Sequence, residues 1–294
     1  LPPCSAMLIY SISASYLKAN ILFNKLLKRP DINKAYKMVP PTDSWYETIC
    51  KVHSSLEEIK KLPHQELEIL SEDNLKLKGL YYKGTSDVTI VCSHGYTSHA
   101  EREWAFPGLF YLSLGYNVLI PYQRAHGPSE GKRITFGVFE HLDMMLWINE
   151  VNKINPNGKV IIHGLSMGGG IALILSNKEM DNVKGIIADA PSTGFNDFVT
   201  NISNYVFKQD GERVKNKVIE KFIKIYNVDP TPHNIFTCVE QSKYPLLLSA
   251  GSNEGLDKLF ERLEELNPNS TDTIILPGCN HGNGMYKQTK LYQD

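Results

Sequence analysis

The chain has 294 residues, of which 42% are hydrophobic and 21% are charged, the composition of a folded globular protein rather than of a disordered or fibrous one. Its 31 basic and 32 acidic residues give a formal net charge of -1, and no basic stripe is visible, which argues against a nucleic-acid partner. A chain of this length can bury the core of one α/β domain that carries an inserted lid.

The cysteines are odd in number, scattered along the chain and without a CxxC pair. This spacing gives little support for a disulfide framework or a zinc site, and we expect no metal or organic cofactor. Free thiols are typical of a reducing compartment, so we expect a cytoplasmic protein. The cysteines are Cys4, Cys50, Cys92, Cys238 and Cys279.

Residues 1–63 are predicted to form a helical extension in front of a main domain at residues 64–294. Within the extension, residues 5–17 are moderately apolar, and Lys18 interrupts the run. The run is shorter than the ~20 residues that span a bilayer. Two interpretations stay open: the remnant of a signal peptide or membrane anchor, and an amphipathic helix that docks on the domain or associates with a membrane surface. We favour a helix and leave its partner open.

The order of apolar runs predicts the fold. Residues 66–69 and 75–80 alternate around a turn-forming segment, which predicts a β-hairpin. Uninterrupted apolar runs then alternate with helical stretches, a pattern typical of a mostly parallel sheet with helices on both faces. Together these features predict an α/β-hydrolase-like plan, which by itself fixes no chemistry. The runs are 88–92, 117–120, 159–162, 183–188, 245–249 and 273–276.

Residues 191–243 interrupt this alternation. Within them, Val214, Val218, Phe222 and Ile225 recur at helical spacing among charged residues, which predicts an amphipathic helix. Such a helix packs on the core, and it also suits a lid over an active site. We expect a helical lid insertion here.

Ser166 lies in the sequence GLSMG at residues 164–168, after a predicted strand and before a predicted helix. Glycines on both sides suit a sharp strand-turn-helix connection that exposes the hydroxyl at the carboxyl edge of the sheet. The N–H groups at the start of the helix then face developing negative charge. The plainer alternative is a glycine-rich turn with an idle serine. The strand-helix setting favours Ser166 as a nucleophile.

A serine hydroxyl needs a base and a group that orients the base. His281 follows the last predicted strand, so its loop is expected at the same sheet edge as Ser166. For the orienting acid we choose Glu254, with Asp257 second and Asp189 third. A solvated loop carboxylate is the competing interpretation of each acid. We predict that the other histidines outside glycine-containing loops are surface residues, with His163 facing the interior; the surface group is His53, His64, His99, His141 and His233.

An oxyanion hole needs two N–H groups that point at the developing negative oxygen. The Met167 N–H is one candidate because it follows the nucleophile. The Tyr96 N–H is the other, since Gly95 permits a close approach of the loop after the run 88–92. The Tyr96 side chain is also expected to contact substrate, or else to form a wall of the pocket.

These segments resemble the α/β-hydrolase superfamily, especially bacterial serine esterases of the cinnamoyl-esterase and acyl-aminopeptidase-like branch. The matching segments are HGYTS at 94–98, RAHGPSEG at 124–131, HGLSMGG at 163–169 and NHG at 280–282. They come in family order and cover the chain from about Glu66 onward. The resemblance implies the same nucleophile, base and oxyanion donors, and a structural role for the loop at 124–127.

The chain departs from this pattern in three places. At residues 251–254 it has Gly-Ser-Asn-Glu where relatives usually have Gly-Asp-x-Asp, which puts the acid in doubt. Tyr122 stands where relatives often have Asp. The chain also ends thirteen residues after His281, where relatives complete a closing helix, and a truncation is one interpretation.

The leading hypothesis is that the protein hydrolyses small carboxylic esters through an acyl-enzyme, without a cofactor. A second hypothesis keeps the fold but places a short peptide or acylated amino acid in the site, which requires an anchor for a substrate terminus. A third, motivated by the altered acid loop and the helical extension, is a catalytically impaired binding protein or a membrane-associated one.

Overall fold

A single sheet of eight strands runs through the protein, as seen in a computed structural model that describes the backbone of residues 4–294 and the side chains of residues 14–294. The strands are β1 Gln65–Leu70, β2 Lys76–Tyr82, β3 Val88–Ser93, β4 Asn117–Pro121, β5 Lys159–Leu165, β6 Val183–Asp189, β7 Leu246–Gly251 and β8 Thr271–Leu276.

The strands follow the order β1-β2-β4-β3-β5-β6-β7-β8. The first two pairings, β1 with β2 and β2 with β4, are antiparallel, whereas all later neighbours pair in parallel. The predicted hairpin and mostly parallel sheet are therefore confirmed. Every residue of β4 is buried, as expected for a strand that is covered on both faces.

Helices cover both faces of the sheet. They are α1 Cys4–Leu26, α2 Tyr46–Ile59, α3 Ala100–Ser113, α4 Glu140–Ile154, α5 Met167–Leu175, α6 Phe195–Phe207, α7 Gly211–Tyr226, α8 Ile235–Glu240, α9 Asp257–Leu266, α10 Gly284–Lys287 and α11 Thr289–Gln293, with single 3₁₀ turns at Ile32–Lys34 and Lys208–Asp210. Trp147 of α4 and Ile171 of α5 lie in the core on one face. Trp104 of α3 and Ile59 of α2 lie in the core on the other.

The N-terminal extension packs on the hydrolase-like domain. Leu22, Phe23 and Leu27 are buried in the same core as α4 and α5. The Ile134 N–H donates to the Leu27 carbonyl at 2.9 Å, which fixes the chain where it leaves α1. Among residues 4–294, no helix has the length and apolar character needed to cross a membrane.

Residues 191–243 form α6, α7 and α8. The predicted amphipathic helix is α7, in which Val214, Val218 and Phe222 are fully buried. The expectation for Ile225 is wrong, because its side chain is 43% exposed. In the last turn of α7 it is Tyr226 that turns inward, with its ring against Phe222.

Arg124 ties the loop after β4 to two distant elements. Its Nε and Nη2 donate to Asp143 of α4 at 2.6 and 2.7 Å, and both side chains are only 5% exposed. The same guanidinium donates to Asp73, in the β1–β2 turn, at 3.0 Å. This geometry agrees with the structural role that the resemblance implies.

We expect Arg124→Leu to lower the free energy of unfolding by about 3–5 kcal/mol, because it leaves the Asp143 carboxylate buried without its cationic partner. Urea unfolding followed by circular dichroism measures the change. The matched control is Lys153→Gln, which removes an exposed ion pair with Glu150 and should cost less than about 1 kcal/mol. Equal small losses for both variants would contradict a stabilising role for Arg124.

Candidate active site

Ser166 occupies a strained turn between β5 and α5. Its φ of 58° and ψ of -116° lie outside the regions that residues with a side chain ordinarily adopt. The turn is allowed by its glycines: a Cβ on Gly164 would lie 2.1 Å from the Gly168 carbonyl oxygen, and one on Gly168 would lie 1.8 Å from the Ser93 carbonyl oxygen. The sequence motif at 164–168 is therefore dictated by close backbone contacts, and it presents the serine at the carboxyl edge of the sheet.

His281 connects Ser166 to a carboxylate. Its Nε2 lies 2.9 Å from Ser166 Oγ, and its Nδ1 lies 2.5 Å from Glu254 Oε2. The other carboxylate oxygen of Glu254 accepts the Gly251 N–H at 2.7 Å, and the Glu254 side chain is 7% exposed. Both ring nitrogens of His281 are thus engaged in the order that serine, base and acid require.

The other two acid candidates lie elsewhere. Asp257 begins α9 and is exposed. Asp189, at the end of β6, is buried, and its carboxylate accepts the Tyr292 hydroxyl at 3.1 Å; burial raises the pKa of Asp189 to about 7. Of the three acids singled out from the sequence, Glu254 is the one that contacts His281.

The two predicted oxyanion donors lie beside Ser166. Met167 is the first residue of α5. Tyr96 follows Gly95, and a Cβ added to this glycine would lie 3.4 Å from Ser166 Cβ. Within the described part of the chain, neither the Tyr96 nor the Met167 N–H donates to a protein acceptor. Both amides are therefore available to an anionic ligand.

His94 fixes the orientation of the peptide that carries the Tyr96 N–H. Its Nε2 accepts the Gln123 N–H at 3.1 Å, so the ring proton is on Nδ1, which donates to the Gly95 carbonyl at 2.9 Å. Burial lowers the pKa of His94 well below its ordinary value, which keeps the ring neutral. Donation to this carbonyl also polarises the same peptide unit and strengthens its N–H as a donor.

The Tyr96 side chain forms part of the wall of the cleft at Ser166. Its hydroxyl donates to the Leu26 carbonyl at 2.6 Å, and its ring packs against Phe136 and against Phe198 of α6. The side chain therefore joins the end of α1 to α6. It also borders the cleft in front of Ser166.

Two cavities meet at Ser166 and His281. The first, of about 480 Å³, is bordered by Asp31 and Tyr36 of the N-terminal extension. The second, of about 400 Å³, is bordered by Pro191 and Leu256 among others. Both cavities border Ser166 and His281, so a ligand at Ser166 can extend into either. The sequence did not indicate that the extension reaches this site.

The five histidines expected at the surface differ in burial. His64 is exposed, whereas His53, His99 and His233 are half-buried. His141 was expected at the surface, but it is 3% exposed, and its Nδ1 lies 2.7 Å from the Gly137 carbonyl. The helix α4 begins at Glu140, so this histidine turns inward in the first turn. The expectation for His163 is confirmed, since it is buried between the Tyr111 and Tyr292 hydroxyls at 2.7 and 3.1 Å.

One buried acid near the site was also missed. Glu103, in the first turn of α3, is 2% exposed and borders the cleft with Ser166. A glutamate in the first turn of a helix ordinarily complements the helix dipole at the surface. Its only sequence signal was its position nine residues after His94.

The sheet, its covering helices and the turn at Ser166 define the class of this protein as an α/β-hydrolase. A family model described as serine aminopeptidase, S33, matches residues 84–256. The chain belongs to this family.

Two relatives show how far the similarity extends. The uncharacterized protein YqkD of Bacillus subtilis is 33% identical over 149 residues, which are 49% of this chain and 48% of that protein. Human monoglyceride lipase is 29% identical over 140 residues, 45% of each chain. The chain thus spans about half the length of the curated relatives it matches.

Solved structures share the fold over a longer stretch. The esterase Pf2001 of Pyrococcus furiosus superposes with a TM-score of 0.62 at 26% identity, over 80% of this chain and 91% of that one. Est1E of Butyrivibrio proteoclasticus, solved with ferulic acid, gives 0.59 at 16% identity, over 77% of this chain and 94% of that one. The predicted fold and superfamily are confirmed.

The pH dependence of catalysis tests the contact between His281 and Glu254. The hydrogen bond that His281 Nδ1 donates to Glu254 raises the pKa of His281 above its ordinary value of 6.5. Because the imidazole must be neutral to take the serine proton, kcat/KM should fall as the pH falls through the raised pKa. Glu254→Gln should shift this acidic limb to lower pH and reduce kcat about 10²-fold or more.

The pH profile of aryl-ester hydrolysis measures both effects. Asp257→Asn is the matched control, since it removes a neighbouring exposed carboxylate and should leave the profile unchanged. A shift with Asp257→Asn, and none with Glu254→Gln, would show that the acid was assigned to the wrong residue.

Proposed function

We propose that this protein is a serine esterase that cleaves small carboxylic esters through an acyl-enzyme on Ser166. The observation that carries the proposal is the continuous hydrogen-bonded chain from Ser166 Oγ through His281 to Glu254, with distances of 2.9 and 2.5 Å. Esters are favoured because an esterase and a monoglyceride lipase are among the similar proteins.

In the proposed reaction, Ser166 attacks the ester carbonyl while His281 Nε2 accepts its proton. The negative oxygen of the tetrahedral intermediate accepts the Tyr96 and Met167 N–H groups, and losing one such donor typically costs about 3 kcal/mol of barrier. His281 then protonates the departing alcohol, which leaves the acyl group on Ser166. Water, activated by the same histidine, releases the acid and restores the serine.

The dimensions of the site suit small esters. A cavity of about 480 Å³ and one of about 400 Å³ meet at the nucleophile, so one holds the acyl group and the other the alcohol. Both volumes are within the range of small-molecule sites.

A fluorophosphonate probe tests the nucleophile. We expect the wild-type protein to be labelled in a single position and to lose hydrolysis of p-nitrophenyl acetate in proportion to labelling. Ser166→Ala should abolish both, whereas Ser192→Ala, which removes another hydroxyl at the second cavity, should preserve labelling. Absence of labelling in folded wild-type protein would favour the impaired binding protein instead.

A peptidase is the alternative, favoured by the family description and by Asp31. This carboxylate is exposed and borders the cleft beside Ser166, so it offers an anchor for a substrate ammonium group. Comparison of aminoacyl p-nitroanilides with aryl esters decides between the two. Faster anilide cleavage that Asp31→Asn selectively weakens would replace the esterase by the peptidase.

We further propose that α1 associates with an anionic membrane surface. Leu17 and Ile21 of α1 are 62% and 59% exposed, and Tyr205 at the end of α6 is 86% exposed. The end of α6 adjoins α1, since Lys18 Nζ lies 5.6 Å from the centre of the Phe207 ring. Lys25 and Lys28 are exposed, and no acidic residue precedes Asp31 in the sequence. Lys18 is paired with Asp210 at 2.7 Å, and Arg29 donates to backbone carbonyls of the loop after β4. Exposed apolar side chains with adjacent cations are typical of interfacial helices.

Cosedimentation with vesicles of phosphatidylcholine, with and without phosphatidylglycerol, tests this association. We expect binding to the anionic vesicles that weakens in high salt, because surface charges are screened. The double variant Leu17→Glu with Ile21→Glu should abolish it. Leu114→Glu, which changes an exposed leucine after α3, is the control and should bind as wild type. Equal binding by both variants would contradict a role for α1.

A further inference from the structure

Glu103 is a buried carboxyl group that the proposed reaction does not use. Its Oε1 accepts the Gly95 N–H at 2.8 Å. Its Oε2 accepts the Ser98 hydroxyl at 2.5 Å and the Tyr36 hydroxyl at 3.1 Å. Among the residues that the structure describes, no lysine or arginine forms an ion pair with it. Burying a carboxyl group without a cationic partner costs folding free energy. We therefore expect the contacts of Glu103 to serve a function.

The location of Glu103 suggests that purpose. A Cβ added to Gly95 would lie 3.4 Å from Glu103 Oε2 and 3.4 Å from Ser166 Cβ. The carboxyl group and the nucleophile therefore lie against the same glycine. The next amide in the chain is the Tyr96 N–H, which is directed to an oxyanion in the proposed reaction.

Gly95 is held at both of its peptide groups. Glu103 accepts its N–H, and His94 Nδ1 donates to its carbonyl at 2.9 Å. Rotation of either peptide would change the direction of the Tyr96 N–H. Oxyanion donors act through fixed geometry, so small displacements reduce their effect.

We infer that Glu103 is a positioning residue, an inference that rests on the proposed function. Together with Ser98 and Tyr36, it holds the Gly95 peptide. The Tyr96 N–H is thereby directed at the oxyanion. Tyr36 belongs to the N-terminal extension, outside the family match at residues 84–256. The extension thereby completes the support of the oxyanion loop and does not merely cover the domain.

The ionisation of Glu103 supports this inference. Burial raises its pKa to about 7, so the protonated and the ionised carboxyl are both populated near neutral pH. In either form one carboxyl oxygen can accept the Gly95 N–H, and protonation of the other removes a negative charge beside the oxyanion. The titratable groups that face it are Tyr36 of the extension, Cys92 of β3, His281 and Tyr286 of α10.

Steady-state kinetics of three variants test the inference. Glu103→Ala removes the acceptor of the Gly95 N–H and should lower kcat about 10- to 100-fold with little change in KM. Glu103→Gln keeps an acceptor of the same size and should retain kcat within about threefold. The step that Glu103 adds near pH 7 should disappear from the profile, while the acidic limb of His281 remains. Tyr36→Phe removes one hydroxyl donor only and should lower kcat by a few-fold.

Glu140→Ala is the matched control. Glu140 is likewise 2% exposed and accepts the N–H groups of Thr135 and Gly137 at 2.7 and 2.8 Å. It lies in α4 and borders neither cavity at Ser166. Its loss should lower thermal stability and leave kcat of the folded protein unchanged.

The outcomes separate this inference from the proposed function. Wild-type protein that neither hydrolyses esters nor reacts with a fluorophosphonate refutes both. An active wild type whose Glu103→Ala variant keeps full kcat overturns the role of Glu103 alone, as does an equal loss in Glu103→Gln and Glu103→Ala. If Glu103→Ala does not fold, unchanged kcat in Tyr36→Phe with a wild-type pH profile in Glu103→Gln overturns it.

Discussion

The close approach of two backbones at Gly168 determines the geometry around Ser166. A Cβ at this position would lie 1.8 Å from the Ser93 carbonyl oxygen, so α5 can begin against the end of β3 only if the residue is glycine. This contact forces the turn in which Ser166 adopts a positive φ. It also brings the loop after β3, with the Tyr96 N–H, next to the N-terminus of α5. The nucleophile and both candidate oxyanion donors therefore depend on one backbone contact.

The candidate base and acid, His281 and Glu254, are held by a second pair of neighbouring loops. β7 and β8 are adjacent and parallel, and the loops after them are joined by the Asn253 N–H, which donates to the Cys279 carbonyl at 3.0 Å. Glu254 bends back so that one oxygen accepts the Gly251 N–H. This bend accommodates the methylene group that distinguishes glutamate from aspartate. The altered acid loop thus still delivers a carboxylate to His281.

The fold could be predicted from the sequence because each strand of the parallel sheet is a short apolar run. The helices between these runs are marked by a different spacing of apolar residues. The sequence was also sufficient to nominate Ser166 and His281, whose roles depend on the turn or loop that follows a strand. The acid was left among three candidates, since the choice depends on how a flexible side chain bends within a loop. Contacts across long separations were not visible: Tyr36 reaches Glu103 from a different segment, and no local pattern predicts such a pairing.

The position of the N-terminal extension could likewise not be predicted from the sequence. Its helical character follows from composition, but its packing in the core of α4 and α5 and its approach to Ser166 depend on tertiary contacts. The extension lies outside the family match, yet Asp31 and Tyr36 border the cleft in front of the nucleophile. Residues inside and outside the family match therefore both contribute to the candidate site.

Trapping the acyl-enzyme is the decisive measurement. A p-nitrophenyl carbamate acylates serine hydrolases readily, and its carbamoyl-enzyme hydrolyses slowly, so the adduct can be located by peptide mass spectrometry. An acyl-enzyme mechanism predicts release of one p-nitrophenol per chain and a single carbamoyl group on Ser166. Turnover without an adduct, or an adduct on a residue other than Ser166, would contradict it.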